Sequence, residues 1–259
     1  MQKSFRELLH AEHRPIGTIL QLPSEELVEI LGHAGVEFLT MDTEHCPMSH
    51  AKIVSMIRTA EAAGVVPMVR VPDVSDEDSI KKALDGGAAG VLVPNISTAE
   101  QARLAVRYGK YAPMGNRGAC PYVRANSFGG GDCANYYERA NAYTSINLLV
   151  EGPEGVQNLP EIVKVEGIDS IQIGAVDLSV SLGIPGQTNH PLVRKAIQDA
   201  GCLAAENGKV IGFFCSEPED VSEVRGWEGI GYYLCPIPEA VLHERYRSIV
   251  KTMNRLAAR

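Results

Sequence analysis

The sequence predicts an α/β protein folded as a (β/α)8 barrel of the TIM type, and three observations carry that expectation. Short runs rich in Val, Ile and Leu alternate with amphipathic stretches, and eight such runs fall within 259 residues, close to the ~250 residues of a typical barrel. Most of the runs are apolar on both faces, as parallel strands covered on both sides are. An open doubly wound sheet alternates in the same way, but no G-x-G-x-x-G follows the first strand, so its phosphate-binding turn is missing.

Each element has its own signal. The first strand is Ile16–Gln21, followed by a helical pattern over Ser24–Gly35. Glu37–Asp42 precedes a helix over Ser49–Ala63, and Val65–Arg70 precedes one over Asp76–Asp85. Gly90–Pro94 leads into a helix over Ser97–Tyr108. An irregular stretch runs from Ala112 to Asn135, long enough to be a lid or binding loop. Alternation resumes with Asn147–Glu151 and a helix over Val156–Val165, then Ser170–Gly174 and a helix over Pro191–Asn207. Val210–Cys215 and Ile230–Cys235 are the last strands, and a final helix covers Glu239–Ala257. Ser24, Ser75 and Ser97 (with Glu100 three residues on) are the expected N-caps. Gly35, Gly64, Gly86 and Gly208 mark helix ends. No linker or shift in composition divides the chain, so residues 1–259 read as one barrel domain.

Composition narrows the function classes. Hydrophobic residues make up 45% and charged residues 22%, which excludes a disordered chain or coiled coil. Twenty-four basic against 32 acidic residues give a net charge of -8, which argues against a nucleic-acid or anionic-membrane surface. No apolar run reaches the ~18 residues of a membrane helix, and the first residues lack an apolar signal core. The expected location is cytoplasmic. The six cysteines contain no C-x-x-C pair and read as reduced, structural thiols.

In such barrels chemistry sits at the carboxyl ends of the strands. That rule gathers Asp42, Glu44, His45, Arg70, Glu151 and Asp177 on one face. Each has an ordinary reading as a cap, a loop charge or a rim salt bridge, and Glu44 reads as a solvated loop charge. Together they describe a site. Glu151 and Asp177, at the ends of adjacent strands, are a pair suited to one hard divalent cation such as Mg2+. A 2-oxo acid can chelate the open positions of that metal through its carboxylate and keto oxygen, and Lewis acidity then stabilises an enolate. Arg70 supplies a fixed positive donor to the developing oxyanion. His45 is the general acid/base, with Asp42 orienting its ring.

Other chemistries fail by inventory. No lysine falls at the carboxyl end of a strand, which removes a Schiff-base aldolase. A three-histidine zinc site needs more than His45 at the mouth. Cys46 reads as packing and Gly129–Gly131 as a flexible loop. Arg117 either holds a substrate carboxylate or pins the long loop.

Six segments carry a resemblance: DTEHCP at 42–47, PMVRVP at 67–72, GVLVPNISTAEQA at 90–102, GNRGA at 115–119, VEGPEGVQNLPEI at 150–162 and IGAVDLSVSLG at 173–183. With their order and spacing, the chain resembles the HpcH/HpaI aldolase (2-oxo-3-deoxy acid aldolase/citrate lyase) family of the phosphoenolpyruvate/pyruvate-binding barrels. The resemblance implies a class II aldolase that cleaves or forms 4-hydroxy-2-oxo acids, giving pyruvate and an aldehyde. It implies a divalent metal (Mg2+, Mn2+ or Co2+) on Glu151 and Asp177, Arg70 on the keto oxygen, and a His45–Asp42 base dyad. Substrate contacts are implied for Gly174, Ala175 and Val176. It also implies a homo-hexamer, a trimer of dimers, with the last helix exchanged between subunits. The chain departs from the family pattern at Leu149, where Gln is common, at Ala175 and Val176, where Pro-Ala is common, and at Ile19, where an aromatic is common. Two alternatives keep the same site: a decarboxylase or CoA-thioester lyase, and a barrel that binds a 2-oxo acid without turning it over.

Overall fold

Eight parallel strands close on themselves in sequence order in this computed structural model, which describes residues 3–258. They are β1 (Ile16–Leu20), β2 (Phe38–Asp42), β3 (Val66–Arg70), β4 (Gly90–Val93), β5 (Ser145–Val150), β6 (Ser170–Ile173), β7 (Val210–Phe214) and β8 (Ile230–Leu234). Every neighbouring pair is parallel, and β8 returns to β1 through Ile16–Tyr233 and Gly17–Leu234. The predicted barrel is the observed one, with every predicted strand present.

The two-residue period of the strands divides the apolar side chains into two layers. Leu39, Met41, Val69, Val91, Ile146, Leu148, Val150 and Ile171 point outward and pack under the helices as the main core. Ile19, Phe38, Val66, Met68, Tyr232 and Leu234 point inward and fill the barrel. A short helix, Phe5–Leu9, not predicted from the sequence, closes the floor. Its Phe5 ring meets Phe38 at 4.9 Å and Tyr232 at 5.4 Å between centroids, both edge to face. Gly17 is required beside them, since a Cβ there would lie 2.3 Å from the Phe38 ring.

Several local expectations shift by a residue or more. The helix Ala99–Gly109 is capped by Thr98, in a reciprocal box with Gln101, not by Ser97 with Glu100. The helix Glu77–Asp85 is capped by Asp76, while Ser75 bonds back to Asp73. The expected helix over Val156–Val165 is two pieces, Pro153–Gln157 and Leu159–Ile162, each with a proline in its first turn and Asn158 between them. Strand β5 begins at Ser145, two residues early, because its inward positions Ser145 and Asn147 are polar and hide the apolar pattern. The irregular stretch ends in a helix, Tyr136–Tyr143, that the sequence reading missed.

Candidate active site at the carboxyl ends of the strands

Asp42 is fully buried where β2 ends. Its two oxygens hold Arg70 from the end of β3: Nε donates to Oδ1 at 2.9 Å and Nη2 to Oδ2 at 2.7 Å. Oδ2 also accepts from Gln21 Nε2 at 3.0 Å, and Oδ1 from the backbone N–H of Glu44 at 3.0 Å and of His45 at 3.3 Å. Burial pushes the Asp42 carboxyl up, but the Arg70 fork, the Gln21 amide and the Glu44 N–H outweigh it and hold the group below its ordinary value. The fork-to-fork geometry fixes the plane of a guanidinium that is itself buried.

The expected dyad takes a different form. Asp42 accepts the backbone N–H of His45, and its oxygens are filled by Arg70, Gln21 and two amides, so it does not orient the His45 ring. That ring is 60% exposed, and the carboxylate facing it is Glu44, with Oε2 3.7 Å from Nε2. Nor is Glu44 a solvated loop charge. Its side chain is only 15% exposed and lies 3.3 Å from Arg70 Nη1. Oε1 accepts from Asn95 Nδ2 at 3.0 Å, and Oε2 is buried without a hydrogen-bond partner.

Asn95 was missed as well. It follows β4 through Pro94 and sits at φ 58°, a left-handed conformation that asparagine tolerates better than most residues. Its backbone N–H donates to Glu151 Oε1 at 2.9 Å. The usable signal was an asparagine directly after a Pro-terminated strand, at the end of the barrel where function collects.

Glu151 is nearly buried one residue past β5. Burial raises its carboxyl to about 7; the Asn95 N–H works against that, while the charges of Asp177 and Glu44 add to it. A Cβ on Gly174 would lie 2.5 Å from Glu151 Cβ and 2.8 Å from Oε2, so a glycine is needed for the carboxylate to stand there. Gly174 also opens an unpredicted helix, Ala175–Ser181, with no side-chain cap. Its first-turn N–H groups, those of Ala175 and Val176 among them, have no acceptor within the helix. Asp177 lies in that turn and is exposed, as is Val176. The donor set fits a hard divalent cation: two carboxylates, one of them nearly buried, with the remaining positions left to water and substrate. Among the described residues, no group of three or more His, Cys, Asp and Glu side chains forms a closed metal cage.

Leu149 is buried and in register with Gln172 of β6, which is also buried. An amide therefore remains in that layer of the barrel, on the neighbouring strand. The Cys46 thiol donates to the Gln21 carbonyl, and burial raises its pKa, so it serves packing. Arg117 pins the loop: it is buried, paired with Asp85 and stacked 4.5 Å from the centre of the Tyr111 ring. Asp85 ends, and Tyr111 follows, a helix that returns to the amino ends of the strands, so Arg117 lies away from the mouth. Lys110 is buried there too, donating to the carbonyls of Asn141 and Thr144, with burial lowering its pKa to about 8.

Comparison with known proteins gives the family and supports the fold. Residues 16–230 match the model of the HpcH/HpaI aldolase/citrate lyase family. A hydroxypyruvate/pyruvate aldolase of Sagittula stellata is 37% identical over 75% of this chain and 76% of its own. A 5-keto-4-deoxy-D-glucarate aldolase of Escherichia coli is 34% identical over 86% of each chain. The crystal structure of an HpcH/HpaI aldolase from Desulfitobacterium hafniense superimposes with a TM-score of 0.91 at 30% identity, covering 97% of this chain and 96% of that one.

Proposed function

Because the chain belongs to the HpcH/HpaI aldolase/citrate lyase family, we propose that it forms and cleaves 4-hydroxy-2-oxo acids with a divalent metal at Glu151 and Asp177, through the enolate of pyruvate. Aldolase relatives 34–37% identical over most of the chain make it an aldehyde-lyase acting on a pyruvate-type substrate and an aldehyde. The observation that carries the finer reading is the meeting, at one mouth, of a guanidinium locked by Asp42 with a nearly buried carboxylate held by the Asn95 N–H.

Glu151 and Asp177 hold the cation (Mg2+, Mn2+ or Co2+), which supplies Lewis acidity toward the 2-oxo acid. Arg70, its plane fixed by Asp42, donates to the oxygen that becomes the enolate oxygen, where a preorganised charge counts most. Asp42 is therefore a positioning residue acting through Arg70. The free N–H groups of Ala175 and Val176, next to Gly174, bind the substrate carboxylate. His45 moves the proton. In cleavage it takes the hydrogen of the 4-hydroxyl; that oxygen's electrons form the aldehyde C=O as the C3–C4 bond breaks, and its electron pair becomes the C2–C3 double bond of the enolate. Returning the proton to C3 yields the pyruvate methyl.

The test is exchange of the pyruvate methyl hydrogens in heavy water, followed by NMR with and without added Mg2+, Mn2+ or Co2+. Exchange is expected only with metal, and Glu151→Gln lowers it at least about 100-fold, since even the residues that merely orient metal ligands are worth 10–100-fold. Exchange that proceeds equally without metal, or in the variant, overturns the metal assignment.

We also infer a homo-hexamer, a trimer of dimers built through the last helix. That helix, Pro238–Ala257, buries only Pro238 within its own chain. Leu242, Tyr246, Val250 and Met253 stand exposed at helical spacing, a stripe of a kind that globular chains cover. We also infer a location in the cytoplasm. Among the described residues no helix is long and apolar enough to cross a membrane.

A further inference from the structure

We propose that Gln172 binds substrate: from the floor of the site its side-chain amide donates to the carboxylate of the 2-oxo acid, as a third donor beside the N–H groups of Ala175 and Val176. The inference rests on the aldolase reading, in which a 2-oxo acid lies against the first turn of the helix after β6, and it names a side chain that selects for the acid group.

Strand register puts Gln172 inside the barrel. Its neighbours Ile171 and Ile173 pack outward in the main core, while Ser170, two residues earlier, reaches Asn147 and Tyr232 in the interior. The next inward position toward the mouth is Gly174, which lies against Glu151. Gln172 therefore stands one step below the nearly buried carboxylate, and three and four residues before Ala175 and Val176.

The amide of Gln172 is idle. The polar layer beneath it is closed on itself: Ser170 donates to Asn147 Oδ1 at 2.7 Å, and Asn147 Nδ2 donates to the Val91 carbonyl at 3.0 Å and to Ser145 Oγ at 2.9 Å. Gln172 is only 7% exposed, yet its side chain makes no hydrogen bond among the described residues. Its partners in register are Leu149 of β5 and Gly212 of β7, and neither has a side chain that donates or accepts. A glutamine amide carries two donors and an acceptor, and burying it unpaired is costly. Gly212 beside it and Gly174 above it place no side chain over the amide, so the way toward the mouth is the one left for a partner.

A carboxylate has about four acceptor sites. The Ala175 and Val176 N–H groups leave room for the Gln172 Nε2–H, and a hydrogen bond to an ionised group is of the stronger kind. Leu149 stands where glutamine is common in the family pattern, and Gln172 is in register with it. The amide has changed strands and kept its layer.

The experiment uses the full chain with Mg2+, and pyruvate as the probe. Calorimetric titration gives Kd for pyruvate, and for Mg2+ alone. Gln172→Met, of similar length but without the donor, is expected to weaken pyruvate about 10- to 100-fold, the range of one hydrogen bond to a charged group, with Mg2+ affinity and thermal melting unchanged. KM for pyruvate should rise with kcat held, the mark of binding lost equally from ground and transition states. Adding Leu149→Gln to Gln172→Met returns an amide to the paired strand and should recover part of the affinity. With 13C-pyruvate bound, the C1 resonance should differ between parent and variant while C3 stays. Equal pyruvate Kd in the two proteins, a matching loss of Mg2+ affinity, or a change at C3 in place of C1 overturns the proposal. If the parent binds pyruvate but exchanges no methyl hydrogens with any metal, the aldolase reading fails, and the Kd comparison still decides the role of Gln172.

Discussion

Asp42 shows why residue types can be read from the sequence while their partners cannot. Position at a strand end identified Asp42, His45, Arg70, Glu151 and Asp177, because backbone register alone decides which side chains reach the mouth. Who bonds whom depends on rotamers and on which oxygen is already occupied, and no spacing rule contains that. Asp42 and Glu44 lie two residues apart, and the one nearer the strand took the arginine. A dependence on acid follows. The folded carboxyl of Asp42 titrates below its ordinary 3.8, so the unfolded chain binds more protons in the window beneath that value. The stabilisation is complete above 3.8 and is lost as pH falls through the folded value. Asp42→Asn removes this dependence and leaves the buried Arg70 charge only its 3.3 Å contact with Glu44, a loss of up to about 3–5 kcal/mol. Urea midpoints compared from about pH 6 down to about pH 3 check it; parallel decline of both proteins would show that Asp42 carries no such linkage.

Helices and strands were legible wherever period and caps agreed, and their ends blurred where two residues competed for one role. Ser97 and Thr98 are both cap formers, each with a side chain three residues on that completes a box. The choice falls on Thr98 because the Ser97 and Thr98 N–H groups both reach the Gln101 side chain, while Ser97's carbonyl is engaged by Asn158. We expect Thr98→Ala to cost about 1 kcal/mol and Ser97→Ala a few tenths, read from chemical denaturation with the slope unchanged. Equal losses would return the cap to Ser97. The helix Ala175–Ser181 escaped notice because only seven residues long, uncapped and mostly apolar, it shows no period to count. Yet it carries Asp177, so the least legible element holds part of the candidate site.

For the molecule as a whole, the closed barrel was the most legible feature, because eight repeats of one pattern average out local errors. What lay beyond the sequence was how the ends of the chain are used. The first helix seals the floor, and the last one leaves the barrel after its Glu239 has accepted the backbone N–H groups of Gln21 and Leu22. Its exposed stripe is tested by Tyr246→Lys together with Val250→Glu. Light scattering should report about six chains for the parent protein and fewer for the variant, whose outer faces repel water less and one another more. A parent mass of one chain would remove the assembly.

The floor also has a bearing on how the molecule is made. Residue 5 rests on rings from residues 38 and 232, so the plug has only half its seat until strand β8 exists. In a chain growing from its amino end Phe5 and Phe38 are made long before Tyr232, and long-range closure of this kind is slow. The helix Phe5–Leu9, made before every strand of the barrel, is thus among the last elements to find its complete surroundings.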